Sequence, residues 1–194
     1  MTVLVMLLHG VGSSGNDLWP LSQSFADTLP EATFLLPDGP HPFDGGGGGR
    51  QWFSVAGVTE ANRPGRVEAA RPALDAMIDA AKAQTKASRV ILIGFSQGAI
   101  MALDALARGK VAEVVAFAGR LAFAGTPAPQ PQARALLVGG GADQVIPHRL
   151  STEAGERLTA AGIAAEVVIL PRVPHTITSE GIAAAQAFLT LPAR

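Results

Sequence analysis

The residues best suited to covalent chemistry lie in Gly94-Phe95-Ser96-Gln97-Gly98. The β-branched run Arg89-Val90-Ile91-Leu92-Ile93 leads into it and Ala99-Ile100-Met101-Ala102-Leu103 leads out, so a serine falls on a sharp strand-to-helix turn. Such a turn drives its central residue toward strained backbone angles and needs small neighbours, which Gly94 and Gly98 supply. It lifts the hydroxyl above the sheet and aims the first N–H groups of the helix at the same point. The five-residue pattern alone recurs in Gly-rich proteins; its setting makes Ser96 a nucleophile rather than a plain turn residue. A serine hydroxyl attacks only when a base in hydrogen-bond reach takes its proton, and the chain has four histidines. His175, in a loop after the last predicted strand, is the favoured base. His9 is expected to shape its own loop, His41 sits between two prolines, and His148 is expected to cap a helix at the surface. The base in turn needs a carboxylate to hold its tautomer and stabilise the imidazolium. Asp143, at the end of the small-residue loop Gly139-Gly140-Gly141-Ala142-Asp143, is favoured over Asp38 and Asp104. Asp38 reads as a turn former in Pro-Asp-Gly, and Asp104, Asp75, Asp79, Glu153 and Glu156 read as solvated helix faces. The oxyanion of a tetrahedral intermediate needs fixed donors. These are assigned to the backbone N–H groups of Gln97 and of Val11, in His9-Gly10-Val11-Gly12.

These groups must be brought together by the surrounding elements. Val3–Leu8 is apolar throughout, as suits a strand buried on both faces of a parallel sheet. Further strands are expected over residues 32–36, 90–93, 113–118, 135–138 and 165–170. Helices are expected from Asn16 or Asp17 to about Leu29, from Val67 to about Gln84, after Ser96 to near Gly109, over 148–161 and over 179–189. Residues 37–64 show neither period; with the run Gly45 to Gly49 they read as a flexible rim over a pocket. About six strands alternating with helices predict one α/β domain over residues 1–194, with a mostly parallel sheet flanked by helices. Ligands of such sheets bind beyond the carboxyl ends of the strands, and the loop of His9 to Gly12, Ser96, Asp143 and His175 all follow strand ends. The 194 residues suffice for one core. A net charge of −1 with scattered arginines argues against a nucleic-acid partner. The absence of cysteine excludes disulfides and thiolate chemistry and fits the cytoplasm. No membrane span and no metal-binding His spacing is evident.

The blocks Leu8-His9-Gly10-Val11-Gly12-Ser13-Ser14-Gly15, Leu36-Pro37-Asp38-Gly39-Pro40, Arg50-Gln51-Trp52-Phe53, Gly94-Phe95-Ser96-Gln97-Gly98-Ala99, Gly140-Gly141-Ala142-Asp143-Gln144-Val145-Ile146-Pro147 and Pro174-His175 resemble the phospholipase/carboxylesterase family, which includes the acyl-protein thioesterases. The resemblance implies an α/β-hydrolase fold, here with a reduced N-terminal edge, in which the order Ser, Asp, His is the expected one. It implies a cofactor-free serine hydrolase that cleaves carboxylic esters or thioesters, with Ser96, Asp143 and His175 as the triad and Val11 and Gln97 as the oxyanion donors. It also implies that Trp52 and Phe53 border the acyl site. The expected partner is a small ester or thioester, and the sequence leaves room for a homodimer. Acyl transfer or perhydrolysis on the same residues, and an idle binding domain that kept the site, are the alternatives.

Overall fold

The computed structural model describes residues 2–191. Six strands form one sheet: β1 (Val3–Leu8), β2 (Ala32–Leu35), β5 (Arg89–Phe95), β6 (Glu113–Phe117), β7 (Arg134–Gly140) and β8 (Ala164–Leu170). Their spatial order is β2-β1-β5-β6-β7-β8 and every neighbouring pair is parallel. Five α-helices flank it: α1 (Trp19–Ala26), α2 (Arg63–Thr85), α3 (Gln97–Ala107), α4 (Arg149–Ala160) and α5 (Ser179–Thr190).

The central strands are apolar on both faces because helices cover both. Leu4, Met6 and Leu8 of β1 share one buried cluster with Val67, Leu74 and Ile78 of α2, with α3 and with Leu158 of α4. The alternate residues Val3, Val5 and Leu7 belong to a second buried cluster on the other face, with Leu21 and Phe25 of α1 and Phe188 of α5. This two-residue alternation follows from the pleat. Strand order reverses between β1 and β5, which leaves a crevice above their carboxyl ends where chain from both can meet.

Two sequence expectations are corrected. Residues 37–64 are not structureless: β3 (His41–Pro42) pairs antiparallel with β4 (Arg50–Gln51), and α2 begins at Arg63 with Pro64 in its first turn. The glycine run forms the turn between the two short strands, with Gly46, Gly47 and Gly48 at φ of 77°, 76° and 79°. Three successive left-handed residues are accessible to glycine at little steric cost, so no periodic pattern announced the ladder. Asp104 is not a solvated helix face but has no exposed side-chain surface. All of α3 is buried between the sheet and the helix layer, and Arg71 of α2 (2.9 Å) and Arg108 (2.9 Å) reach in to pair with Asp104. Arg108 also binds Asp75. Burial works against the Arg108 charge, but the hydrogen bonds that Arg108 donates to Asp75 and Asp104 outweigh it and hold its pKa above the usual value.

Candidate active site

β5 runs directly into α3 through Ser96, whose φ of 52° and ψ of −114° lie outside the comfortable regions for an L-residue. Strain of this kind costs about 1–3 kcal/mol and persists only when the surroundings enforce it. The Ser96 N–H donates to the Phe117 carbonyl (3.0 Å), and the Ser96 carbonyl accepts from Ile100 N–H (3.1 Å). The flanking glycines are steric necessities. A Cβ on Gly94 would lie 2.5 Å from the backbone of Gly98 and Ala99, and one on Gly98 would lie 2.0 Å from the Leu8 carbonyl oxygen.

Two further loops converge on the hydroxyl. His175 Nε2 lies 2.9 Å from Ser96 Oγ, and His175 Nδ1 lies 2.7 Å from Asp143 Oδ2. A carboxylate can only accept, so Nδ1 carries the proton and Nε2 presents its lone pair to the serine O–H. The other oxygen of Asp143 accepts from the N–H groups of Val145 (2.8 Å) and Ile146 (2.9 Å), which fixes the carboxylate plane. The Asp143 side chain is fully buried and His175 is about one-fifth exposed, so the carboxylate sits behind a ring that meets solvent. The Phe95 ring packs against the imidazole, with ring centres 5.0 Å apart. The two loops are tied together directly: Ala142 N–H donates to the Val173 carbonyl (2.9 Å), and that oxygen sits 2.4 Å from where a Cβ of Gly140 would be.

The backbone N–H groups of Val11 and Gln97, among the described residues, donate to no protein acceptor, and both residues line the pocket at Ser96. The loop of Val11 is braced by the β3–β4 ladder: Gly12 N–H donates to the Arg50 carbonyl and Arg50 N–H to the Ser13 carbonyl, both at 2.8 Å. His9 is buried beneath it. Its Nδ1–H donates to the Gly10 carbonyl (2.7 Å) and its Nε2 accepts from Gly39 N–H (2.8 Å), which fixes the tautomer and the shape of the loop. Asp38, the rival carboxylate, instead accepts from Gly15 N–H (2.7 Å).

Of the two aromatic residues expected at the acyl site, Phe53 lines a pocket of about 230 Å³ beside Ser96, with Val55, Val58, Ile100 and Ile146 as further apolar walls. Trp52 does not line it. It is 1% exposed, donates its indole N–H to the His9 carbonyl (2.9 Å) and packs on the His9 ring. The tryptophan therefore supports the first loop from below. Sequence reasoning missed the residue that ties both together. The Gln97 side chain accepts from Trp52 N–H (2.8 Å) and donates to the Phe53 carbonyl (2.7 Å). It also missed Asp44, whose carboxylate gathers the Gln51 amide, the Ser54 hydroxyl and the N–H groups of Val55 and Ala56. Those hydrogen bonds, chiefly from Gln51 and Ser54, hold the Asp44 carboxyl down at about 2.

An all-parallel sheet, a strained serine between strand and helix, and an imidazole and a carboxylate on later strand-end loops define the α/β-hydrolase class. Within it, residues 1–192 match the phospholipase/carboxylesterase family, and the chain belongs to that family. Esterase YpfH of Escherichia coli is 35% identical over 184 residues, spanning 92% of this chain and 78% of that protein. Acyl-protein thioesterase 1 of Neurospora crassa is 26% identical over 218 residues, spanning 97% and 86%. Among solved structures, esterase PE8 superposes with a TM-score of 0.86 at 35% identity, covering 96% of this chain and 91% of that one. SOBER1 of Arabidopsis thaliana shares the fold, with a TM-score of 0.82 at 22% identity over 97% and 98%. The protein is thus a hydrolase of the carboxylesterase type. Among the described residues, no helix is long and apolar enough to cross a membrane.

Proposed function

We propose that the protein hydrolyses small carboxylic esters or thioesters through an acyl-enzyme on Ser96, with His175 as general base and acid and Asp143 as the group that orients it. The observation that carries this reading is the unbroken pair of hydrogen bonds from Ser96 Oγ to His175 (2.9 Å) and from His175 to Asp143 (2.7 Å). Ser96 Oγ attacks the acyl carbon as its proton passes to His175 Nε2. The carbonyl oxygen becomes an oxyanion and accepts from the N–H groups of Val11 and Gln97, which have no competing acceptor to give up. The intermediate then breaks its bond to the leaving oxygen or sulfur, which takes the proton from Nε2. Water attacks the serine ester with His175 again as base, and the carboxylic acid departs as Ser96 regains its proton. Asp143 keeps its negative charge throughout and stabilises the transient imidazolium. The pocket is smaller than the ~300–1,000 Å³ of sites that enclose drug-sized ligands, which favours short acyl groups. A cysteine-free chain suits a reducing compartment, and we place the protein in the cytoplasm.

The test is Ser96→Ala assayed on p-nitrophenyl acetate and butyrate. A drop in kcat/KM on the order of 10,000-fold, with loss of labelling by a fluorophosphonate probe, is the expected result. A variant that keeps most of its turnover would remove Ser96 from the mechanism.

A further inference from the structure

The pocket beside Ser96 has two cationic members in a wall that is apolar apart from Ser96 and Gln97, Arg63 at the start of α2 and Arg120 in the loop after β6. Both side chains are largely buried, at 18% and 15% exposure. One carboxylate serves them. Glu60, itself 69% exposed, accepts from both terminal nitrogens of Arg120 and from Arg63 Nη2 (3.2 Å). Hydrogen bonding from Arg120, then the proximity of both guanidinium charges, keeps the Glu60 carboxyl below its usual range, so it is ionised at neutral pH. Two positive charges against one negative leave the cluster at +1. The Nε–H groups of Arg63 and Arg120 are both buried without a partner. Four buried side-chain atoms among the described residues share that condition, and two of the four belong to this pocket. Buried polar groups otherwise find partners nearly everywhere, so the two guanidinium groups are short of acceptors within the protein. The N-terminus of α2, a helix of 23 residues, adds its positive dipole end at Arg63.

Resting on the serine-esterase reading above, we propose that this pocket selects short acyl groups that end in a negative charge, with Arg63 and Arg120 receiving a terminal carboxylate while the ester carbonyl sits at Ser96. Guanidinium groups suit this role because they present forked donors that match a carboxylate and remain charged at any working pH. Glu60 is the built-in competitor: it holds the arginines in place and offsets half of their charge. Apolar walls and limited solvent strengthen the attraction relative to open water.

The experiment compares kcat/KM for p-nitrophenyl monoglutarate with that for p-nitrophenyl valerate, an uncharged ester of the same chain length. The readout is the ratio of the two constants, so a general loss of activity cancels. Arg120→Gln and Arg63→Gln should each lower the charged-to-neutral ratio by about tenfold or more, the scale of one charge-assisted hydrogen bond. Glu60→Gln should raise the ratio, a sign that a merely structural role for Glu60 would not produce. Added salt should lower the wild-type ratio through screening. If one arginine variant fails to fold, the other, Glu60→Gln and the salt series still decide. An unchanged ratio in the arginine variants, or a ratio that falls in Glu60→Gln, overturns the proposal and leaves the esterase reading intact. A wild-type protein that cleaves neither ester overturns both.

Discussion

Replacing Gln97 by alanine separates two duties carried by one residue. The backbone N–H assigned to the oxyanion stays, whereas the side chain that binds Trp52 N–H (2.8 Å) and the Phe53 carbonyl (2.7 Å) goes. Gln97, Trp52 and Phe53 are 3%, 1% and 4% exposed, so water does not readily replace either bond. A buried backbone group left without a partner costs ~1–3 kcal/mol. Two such groups, with some relief from a water entering the vacated space, should lower stability by roughly 2–4 kcal/mol. For a chain of this size each kcal/mol moves Tm by roughly 2–4 °C, so Tm should fall on the order of 10 °C. Urea unfolding followed by circular dichroism measures the first quantity and thermal unfolding the second. Ester kinetics supply a third arm: KM should rise because Phe53 lines the pocket, while kcat should fall far less than in Ser96→Ala. An unfolding free energy within ~0.5 kcal/mol of wild type, the range of ordinary surface substitutions, would show that the two bonds do not brace the rim.

Gly140→Ala should separate the Asp143 and His175 loops, because its Cβ would meet the Val173 carbonyl oxygen at 2.4 Å; ester turnover should drop at least as steeply as stability, and full activity would refute the clamp. Asp104→Ala removes the fully buried partner of two largely buried guanidinium groups but leaves Asp75 to Arg108 and Glu68 to Arg71, and should cost about 1.5–3 kcal/mol in urea unfolding, with no special effect on KM. Asp44 contributes to stability through a folded-state pKa of about 2 against 3.8 for the free group. A depressed carboxyl pKa stabilises the fold above the unfolded value and loses that contribution as pH falls through the folded value. The stability gap between wild type and Asp44→Asn should therefore be largest above pH 4 and close toward pH 2, read from urea midpoints along that series; a gap that widens in acid would contradict the hydrogen-bond assignment.

The elbow was legible because its causes are local. Five residues, two of them glycine, carry the steric demand of a strand turning into a helix, and the demand is met or broken by atoms a few positions away. The apolar runs of the central strands were equally clear, since burial on both faces leaves no polar register to misread. The placement of Ser96, Asp143 and His175 at strand ends followed from the alternation of elements alone. Where local pattern and tertiary packing compete, sequence reasoning failed. Asp104 looks like a solvated helix residue until α3 is enclosed on every side and two arginines are brought to it. The 37–64 segment has no period because its ladder is two residues long on each side and its turn is made of glycine.

Sequence by itself determined the parallel α/β sheet, the strained serine and the residue types that can pass a proton, because each depends on sterics or periodicity within a short window. Tertiary structure alone decided that Gln97 locks the rim, that Trp52 supports the first loop rather than lining the pocket, and that Arg120, in the pocket beside Ser96, meets a glutamate sixty residues away. Those outcomes arise from contacts between distant segments, and the free energy of burying a charge or a hydrogen-bonding group exists only once the other segment has arrived.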